Sequence, residues 1–379
     1  LVVEGSGGIS SGIPGYYIDE LSLNTAGGTF VQQNVPIAIL DVTNPSDPGN
    51  IVPGILGMNV FADRDRVIDA NPSLGQDPSA PAAAEVVAAG LPIYCTEVTA
   101  RSLPADANVI VLPPYGEIQV DGVTVTTGRT GHSFGGVWLH FELGGGVLYT
   151  GDFCKETEYF LYDSPPDAAT VLMDASYGME RLTQQVRIDG LLTTMSKLDG
   201  QILFPVPPSG RAAEMALLFE AQGMTDWTMD ARCYGRVKQV LGDDGPDYVS
   251  QNAIRKLRGL RDKVRDFNPD SRLLLCHSPC GTYGMAGDLI DQWGKAGRLG
   301  RDAHVIFTGF MPLEARNMVE KGQAHFRRWN VHPLVDDVVK MANDCHAMQI
   351  VPLFNGRPED FALVDGFDGR LQLADRFYL

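Results

Sequence analysis

The sequence predicts an α/β protein with an all-β segment at its N-terminus, and three observations lead there. Val125–Gly178 reads as strand, turn, strand, turn, strand, loop, strand. Val137–Leu143 alternates apolar with polar or small residues, Val147–Thr150 and Ala169–Met173 are short apolar runs, and Gly and Pro punctuate the joins. Further on, "QILFPV" is a buried strand pattern leading into the helical pattern Arg211–Gln222, and "RLLLCHSPC" leads into the helix pattern Gly287–Ala296. Leu1–Ser79 instead carries two or three strand patterns around an Ala-Gly-Gly turn, closed by the Pro/Ala-rich linker "NPSLGQDPSAPAAA". At 379 residues, 44% hydrophobic with 42 Gly and 24 Pro, the composition suits two or three loop-rich domains.

The charge balance excludes some functions. A formal charge of −17 argues against indiscriminate binding to nucleic acid, because phosphate contacts need clustered Lys and Arg. One positive run stands out: Arg255, Lys256, Arg258, Arg261, Lys263 and Arg265, read as a solvated helix face or, alternatively, a local groove. The six cysteines show no CxxC pair, so neither a zinc ribbon nor a disulfide framework is expected, and most should be small core residues in a reduced cytoplasm. No run of 18 apolar residues exists and no signal peptide is visible, although a first residue of Leu reads as the start of a fragment.

Taken in order, Pro81–Gly90 is expected as a short helix, Leu91–Cys95 as a strand and Thr96–Leu103 as a small helix. Val109–Leu112, Glu117–Val120 and Val123–Thr127 follow as strands, the last two joined at Asp121-Gly122. Polar groups fall at the ends of the next strands: His132 in a Gly-rich turn, Asp152 after "YTG" and Asp174 after "TVLM". Such groups can converge on one sheet edge, and imidazole with carboxylate is a donor set for a zinc ion with an open position. The simpler account of a lone His in such a turn is a hydrogen-bonded loop residue, and His140 is expected to face outward. Ser209 opens the helix at Arg211, a strand-to-helix turn where free N–H groups and a guanidinium fork suit a phosphate. The plain alternative is a capped helix with a solvent-facing Arg. His332 stands just ahead of an apolar-striped helix, and "QIVPLFNGRP" is the last strand; Asp360–Leu379 is expected as a short β excursion or tail.

These elements carry a resemblance. "TGHSFGGVWLHFELGGGVLYTGDF", "MDASYG", "ILFPVPPSGRAAEMALLF", "HVIFTGF" and "NVHPLVDD" occur in the order of the signature elements of the metallo-β-lactamase fold in its β-CASP branch, over about Pro81–Arg357. That branch includes ribonuclease J and the pre-mRNA 3′-end processing nucleases. "VPGILGMNVFADRDRVIDAN" resembles the second half of a retropepsin-like aspartic protease subunit without its catalytic Asp turn. The resemblance implies an αββα sandwich (80–178 and 311–379) interrupted by a β-CASP insert (179–310), after an incomplete β segment and linker (1–79). It also implies two zinc ions, RNA or less readily single-stranded DNA as substrate, no membrane association, and leaves a homodimer open. By position, His132 would be a metal ligand, Asp152 a bridging ligand, Asp174 the carboxylate that orients His332, and His332 the proton donor. Ser278 and Gly281 would line the substrate channel. Two departures matter: no two of the seven His lie two residues apart, so the HxHxDH loop is absent, and Asn355 stands where the last motif has His. The expected function is therefore an RNA-cutting hydrolase with an incomplete metal set, or else a metal-free relative that binds RNA or scaffolds a partner.

Overall fold

The computed structural model describes, side chains included, residues 90, 92–120, 122–208, 210–260, 266–309, 311–367 and 369–373. Before residue 90 it describes only strand backbones, the longest being the antiparallel pair Gly15–Thr25 and Gly28–Ala38. The helix expected over 81–90 therefore falls almost wholly outside the described residues.

Three parallel strands come first in the well-described part. Val67–Asp69, β1 (Ile93–Thr96) and β2 (Val109–Leu112) pair side by side. A six-stranded sheet follows, ordered β3 (Gly116–Val120), β4 (Val123–Arg129), β5 (Val137–Phe141), β6 (Val147–Tyr149), β7 (Thr170–Asp174) and β13 (Gln349–Leu353). Its first four strands are antiparallel, and β6, β7 and β13 run parallel. The period-2 pattern of β5 explains both faces. Val137, Leu139 and Phe141 join Tyr94, Leu112, Val125 and Tyr149 in one core, while Trp138 joins Leu148, Val171, Met173 and Ile350 in another. The second core is closed by Val335, Val338, Met341 and Ala342 of α9 (Val335–Asp344), the apolar stripe read from the sequence.

Because both faces are covered, every β5 residue is buried, and His140 does not face outward as the alternation suggested. Its Nε2 lies 3.0 Å from the Asp167 carbonyl oxygen, which satisfies the ring in place of water. The C-terminal segment also differs from expectation. Pro358–Leu363 is a 3-10 turn whose Phe361 stacks on Phe367 beneath the second core, and among the described residues only Leu371 bridges back to β13. Two fully buried aromatics outweigh the strand pattern there.

Between β7 and α9 lies a second, all-parallel sheet ordered β9 (Trp227–Met229), β10 (Leu273–Cys276), β8 (Gln201–Pro205), β11 (Ala303–Phe307) and β12 (Ala324–Phe326). Helices cover both faces, which is why β8, β10 and β11 are buried and largely apolar, with His304 the polar residue of β11. Ile202 and Phe204 pack with α3 (Arg211–Ala221), and Leu203 packs with Ala286, Leu289 and Trp293 of α7 (Gly284–Lys295). The basic run begins on a helix, Gln251–Leu260, which buries Ala253, Ile254 and Leu257 and exposes Arg255, Lys256 and Arg258. A solvated face is the right reading of those three; Arg261, Lys263 and Arg265 lie outside the described residues. No described helix is long and apolar enough to cross a membrane.

Gly128 tests the packing of β4 on β5. A Cβ there would lie 2.2 Å from the ring of Trp138, whose Nε1 donates to the Asp163 carbonyl at 2.8 Å and fixes the indole. Gly128→Ala should therefore cost about 1–3 kcal/mol by overpacking, read from chemical denaturation. Trp138→Phe in the same chain should recover part of that loss, and a purely additive pair would refute the packing account.

Candidate metal centre

One end of the six-stranded sheet gathers the polar groups. The parallel strands β6 and β7 point their C-terminal ends there, followed by Gly151-Asp152 and ending in Asp174 respectively, and antiparallel β5 begins there after the 130–136 turn. Gly131 sets that turn: its φ is 72°, and a Cβ would stand 2.1 Å from the Cys154 carbonyl oxygen. Only glycine allows such an approach, and the turn lifts His132 toward Asp152. The segment ahead of α9 then brings His332 to the same place from the far side of the insert.

His132, Asp152 and His332 form the one group of at least three metal-type donors among the described residues, with all donor atoms within 4.8 Å of one another. His132 Nε2 is 3.6 Å from Asp152 Oδ2, and the two imidazole centroids are 4.9 Å apart. His132 donates Nδ1–H to the Val331 carbonyl at 2.7 Å, since a carbonyl can only accept. His332 Nδ1 is 2.9 Å from Asp174 Oδ2. Each ring thus spends one nitrogen on an acceptor outside the group and turns Nε2 inward, the arrangement that orients ligating histidines. The set suits a divalent ion such as zinc, with His132 and Asp152 as donors and His332 within reach either as a third donor or as an acid.

Asp174 is fully buried yet saturated. Its Oδ1 accepts from Ser176 N at 2.9 Å and Ser176 Oγ at 2.6 Å, and its Oδ2 accepts from Phe153 N at 3.3 Å besides His332. Burial alone would raise its pKa; the His332 charge and these bonds outweigh that and hold it below the usual carboxylate value. For His332 burial works downward, but Asp174 wins and the imidazole pKa is raised. His132 shows the opposite balance: burial lowers it and His332 adds to that, with Asp152 pulling only partly back.

Two further groups shape the site. Tyr177 packs edge-on against His332 at 5.2 Å, its hydroxyl donating to the Trp329 carbonyl at 3.3 Å and accepting from Val331 N at 3.1 Å. It ties the "MDASYG" loop to the His332 segment, and its place in that motif was the available signal. Asn355 is tied down elsewhere. Its Nδ2 donates to the Ala175 carbonyl at 2.8 Å and its Oδ1 accepts from Arg357 N at 2.7 Å, so it staples a loop.

The sequence-predicted substrate residues separate. Ser209 lies outside the described residues. Arg211 is not solvent-facing: it is 7% exposed at the start of α3. Ser278 is fully buried in the turn after β10, 3.1 Å from Cys280 Sγ, and Gly281 (φ 71°) packs against Ile290 and Phe307. Both pack against their own turn and neighbouring strand and helix. Cys154 is ordinary core, its thiol pKa pushed up by burial.

No protein-family model matches the chain. It is 32% identical over 127 residues to the endoribonuclease YSH1 of Yarrowia lipolytica, 30% over 112 residues to the cleavage and polyadenylation specificity factor subunit 3 of Dictyostelium discoideum, and 28% over 167 residues to YSH1 of Saccharomyces cerevisiae. Those stretches cover 31%, 27% and 42% of this chain but only 15%, 14% and 20% of the relatives. A solved protein of unknown function from Enterococcus faecalis overlays 76% of the chain and 74% of its own length at TM-score 0.48 and 14% identity.

The His332–Asp174 pair gives a pH signature in chelated protein. The raised His332 pKa adds stability that is full below the ordinary value of 6.5 and fades as pH rises through the folded value. The lowered Asp174 pKa adds stability above the ordinary 3.8 that fades as pH falls through the folded value. The stability lost in His332→Gln should thus peak between about pH 4 and 6.5 and shrink by pH 8.5. A loss that does not vary with pH would show that the pair is uncharged.

Proposed function

We propose that the chain is a metal-dependent phosphodiesterase of the β-CASP branch of the metallo-β-lactamase fold, acting on RNA. Three findings support this reading: the named relatives are an endoribonuclease and a cleavage and polyadenylation specificity factor subunit, helix and strand layers pack on opposite faces of the six-stranded sheet, and a parallel sheet is formed by the chain between β7 and α9, as an insert of that branch would be. The observation that carries it is the 2.9 Å contact between His332 and Asp174, partners 158 residues apart, beside the His132–Asp152 pair.

In this reading His132 and Asp152 would hold the ion, whose chemistry is Lewis acidity toward a phosphoryl oxygen and a water. The chain does the rest. Val331 and Asp174 fix the two ring orientations, Tyr177 braces His332, and His332 holds a proton at Nε2 and delivers it to the leaving oxygen. One ion suits the donors present, where the branch uses two. A second reading, a metal-free RNA-binding or scaffold subunit, is favoured by the stapled Asn355 and the absent HxHxDH loop; metal content separates the two.

His132→Ala and His332→Ala should each lower RNA cleavage by about 10²–10⁴-fold. By metal analysis His132→Ala should lose the bound ion while His332→Ala keeps it. An ion lost equally in both would make His332 a ligand and not the acid. Variants that cut as well as the parent would sink the assignment.

A further inference from the structure

The insert sheet contains a second feature that the donor group does not use. Its central strand β8 comes first; the chain then fills one side with β9 and β10 before crossing to β11 and β12. The direction switches between β8 and β11, and open α/β sheets take ligands in the crevice outside the strand ends at such a point. α3 begins there. Its N-cap is Gly210 with φ 90° and no side-chain cap, so the first-turn N–H groups lack a side-chain acceptor.

Arg211 is the first residue of that helix, and its environment is unusual. It is 7% exposed, its Nε is buried without a partner, and no carboxylate among the described residues forms an ion pair with it. Glu214, one turn on, attracts Arg211 without an ion-pair contact, and its carboxylate accepts from Thr157 Oγ1 at 2.8 Å. A buried guanidinium stays charged, and a charge met by no direct acceptor is unfavourable. Gly309, just past β11, leaves the space for it: a Cβ there would lie 2.5 Å from Arg211 Nη1. The Arg211 charge also reaches Tyr177 and His332, acting to lower the pKa of each.

We infer that the Arg211 fork, seated against Gly309, and the uncapped first turn of α3 form a phosphate subsite, which receives a backbone phosphate of the polynucleotide next to the one being cut. This rests on the function proposed above for the substrate's identity, but not for the anion. A planar fork and a helix N-terminus are the groups that recognise phosphate oxygens.

The test uses chelated protein and inorganic phosphate, with thermal unfolding and calorimetric titration as readouts and chloride at equal ionic strength as the control. The parent should gain melting temperature with phosphate beyond the chloride control. Arg211→Met, which removes a buried unpaired charge, should melt at or above the parent without phosphate and gain nothing from it. Gly309→Ala, which need only displace the end of a flexible side chain, should fold normally and bind phosphate roughly tenfold more weakly. A phosphate response equal in the parent and in Arg211→Met would overturn the subsite, as would a parent that does not respond. Arg211-dependent phosphate binding in a chain that never cuts RNA would keep the subsite and discard the nuclease; cleavage without such binding would do the reverse.

Discussion

The contact between His332 and Asp174 is the constraint on which the site depends. Asp174 is the last residue of β7 and lies at zero exposure, so its charge must be met inside the protein. Ser176 and Phe153 satisfy part of it locally, but the cationic partner comes from 158 residues away. Everything between, the whole parallel insert, has to return the chain to one spot within hydrogen-bond reach. α9 makes that return firm, because its Val335, Val338 and Met341 are buried on the same sheet that carries Asp174. The position of His332 is thus fixed by apolar burial on one side and by a buried carboxylate on the other.

What the sequence made legible follows from locality. His132, Asp152 and Asp174 stand at strand ends within a stretch of 43 positions, where strand period and turn residues decide direction, and all three meet at one edge. His332 was placed by resemblance, since no local pattern says which sheet a distant loop returns to. His140 shows the limit of alternation: a period of two tells which residues share a face but not whether that face is wet. Here α9 and the 3-10 turn cover it, and a backbone carbonyl takes the place of solvent. Arg211 shows the same limit for charge. Burial of a guanidinium is set by what packs around it, and Gly309, 98 positions later, is not readable as its neighbour.

The donor count is a matter of tertiary structure as well. From the sequence only His132 and Asp152 could be counted toward an ion, and catalytic zinc takes three protein ligands as a rule. The fold sets a His332 ring nitrogen within 4.8 Å of both, and Nε2 is the one not bonded to Asp174. That nitrogen can carry a proton or give its lone pair to an ion, but not both at once. The bond to Asp174 bears on the choice: a buried carboxylate on Nδ1 stabilises the imidazolium and raises the pKa, which favours the proton. His132 has a neutral carbonyl on Nδ1 and is pushed down, which favours the lone pair. Two rings in van der Waals reach are thereby given different chemistry by the group each holds behind it, and that division, more than the number of histidines, is what would let a reduced donor set still work as a hydrolytic centre.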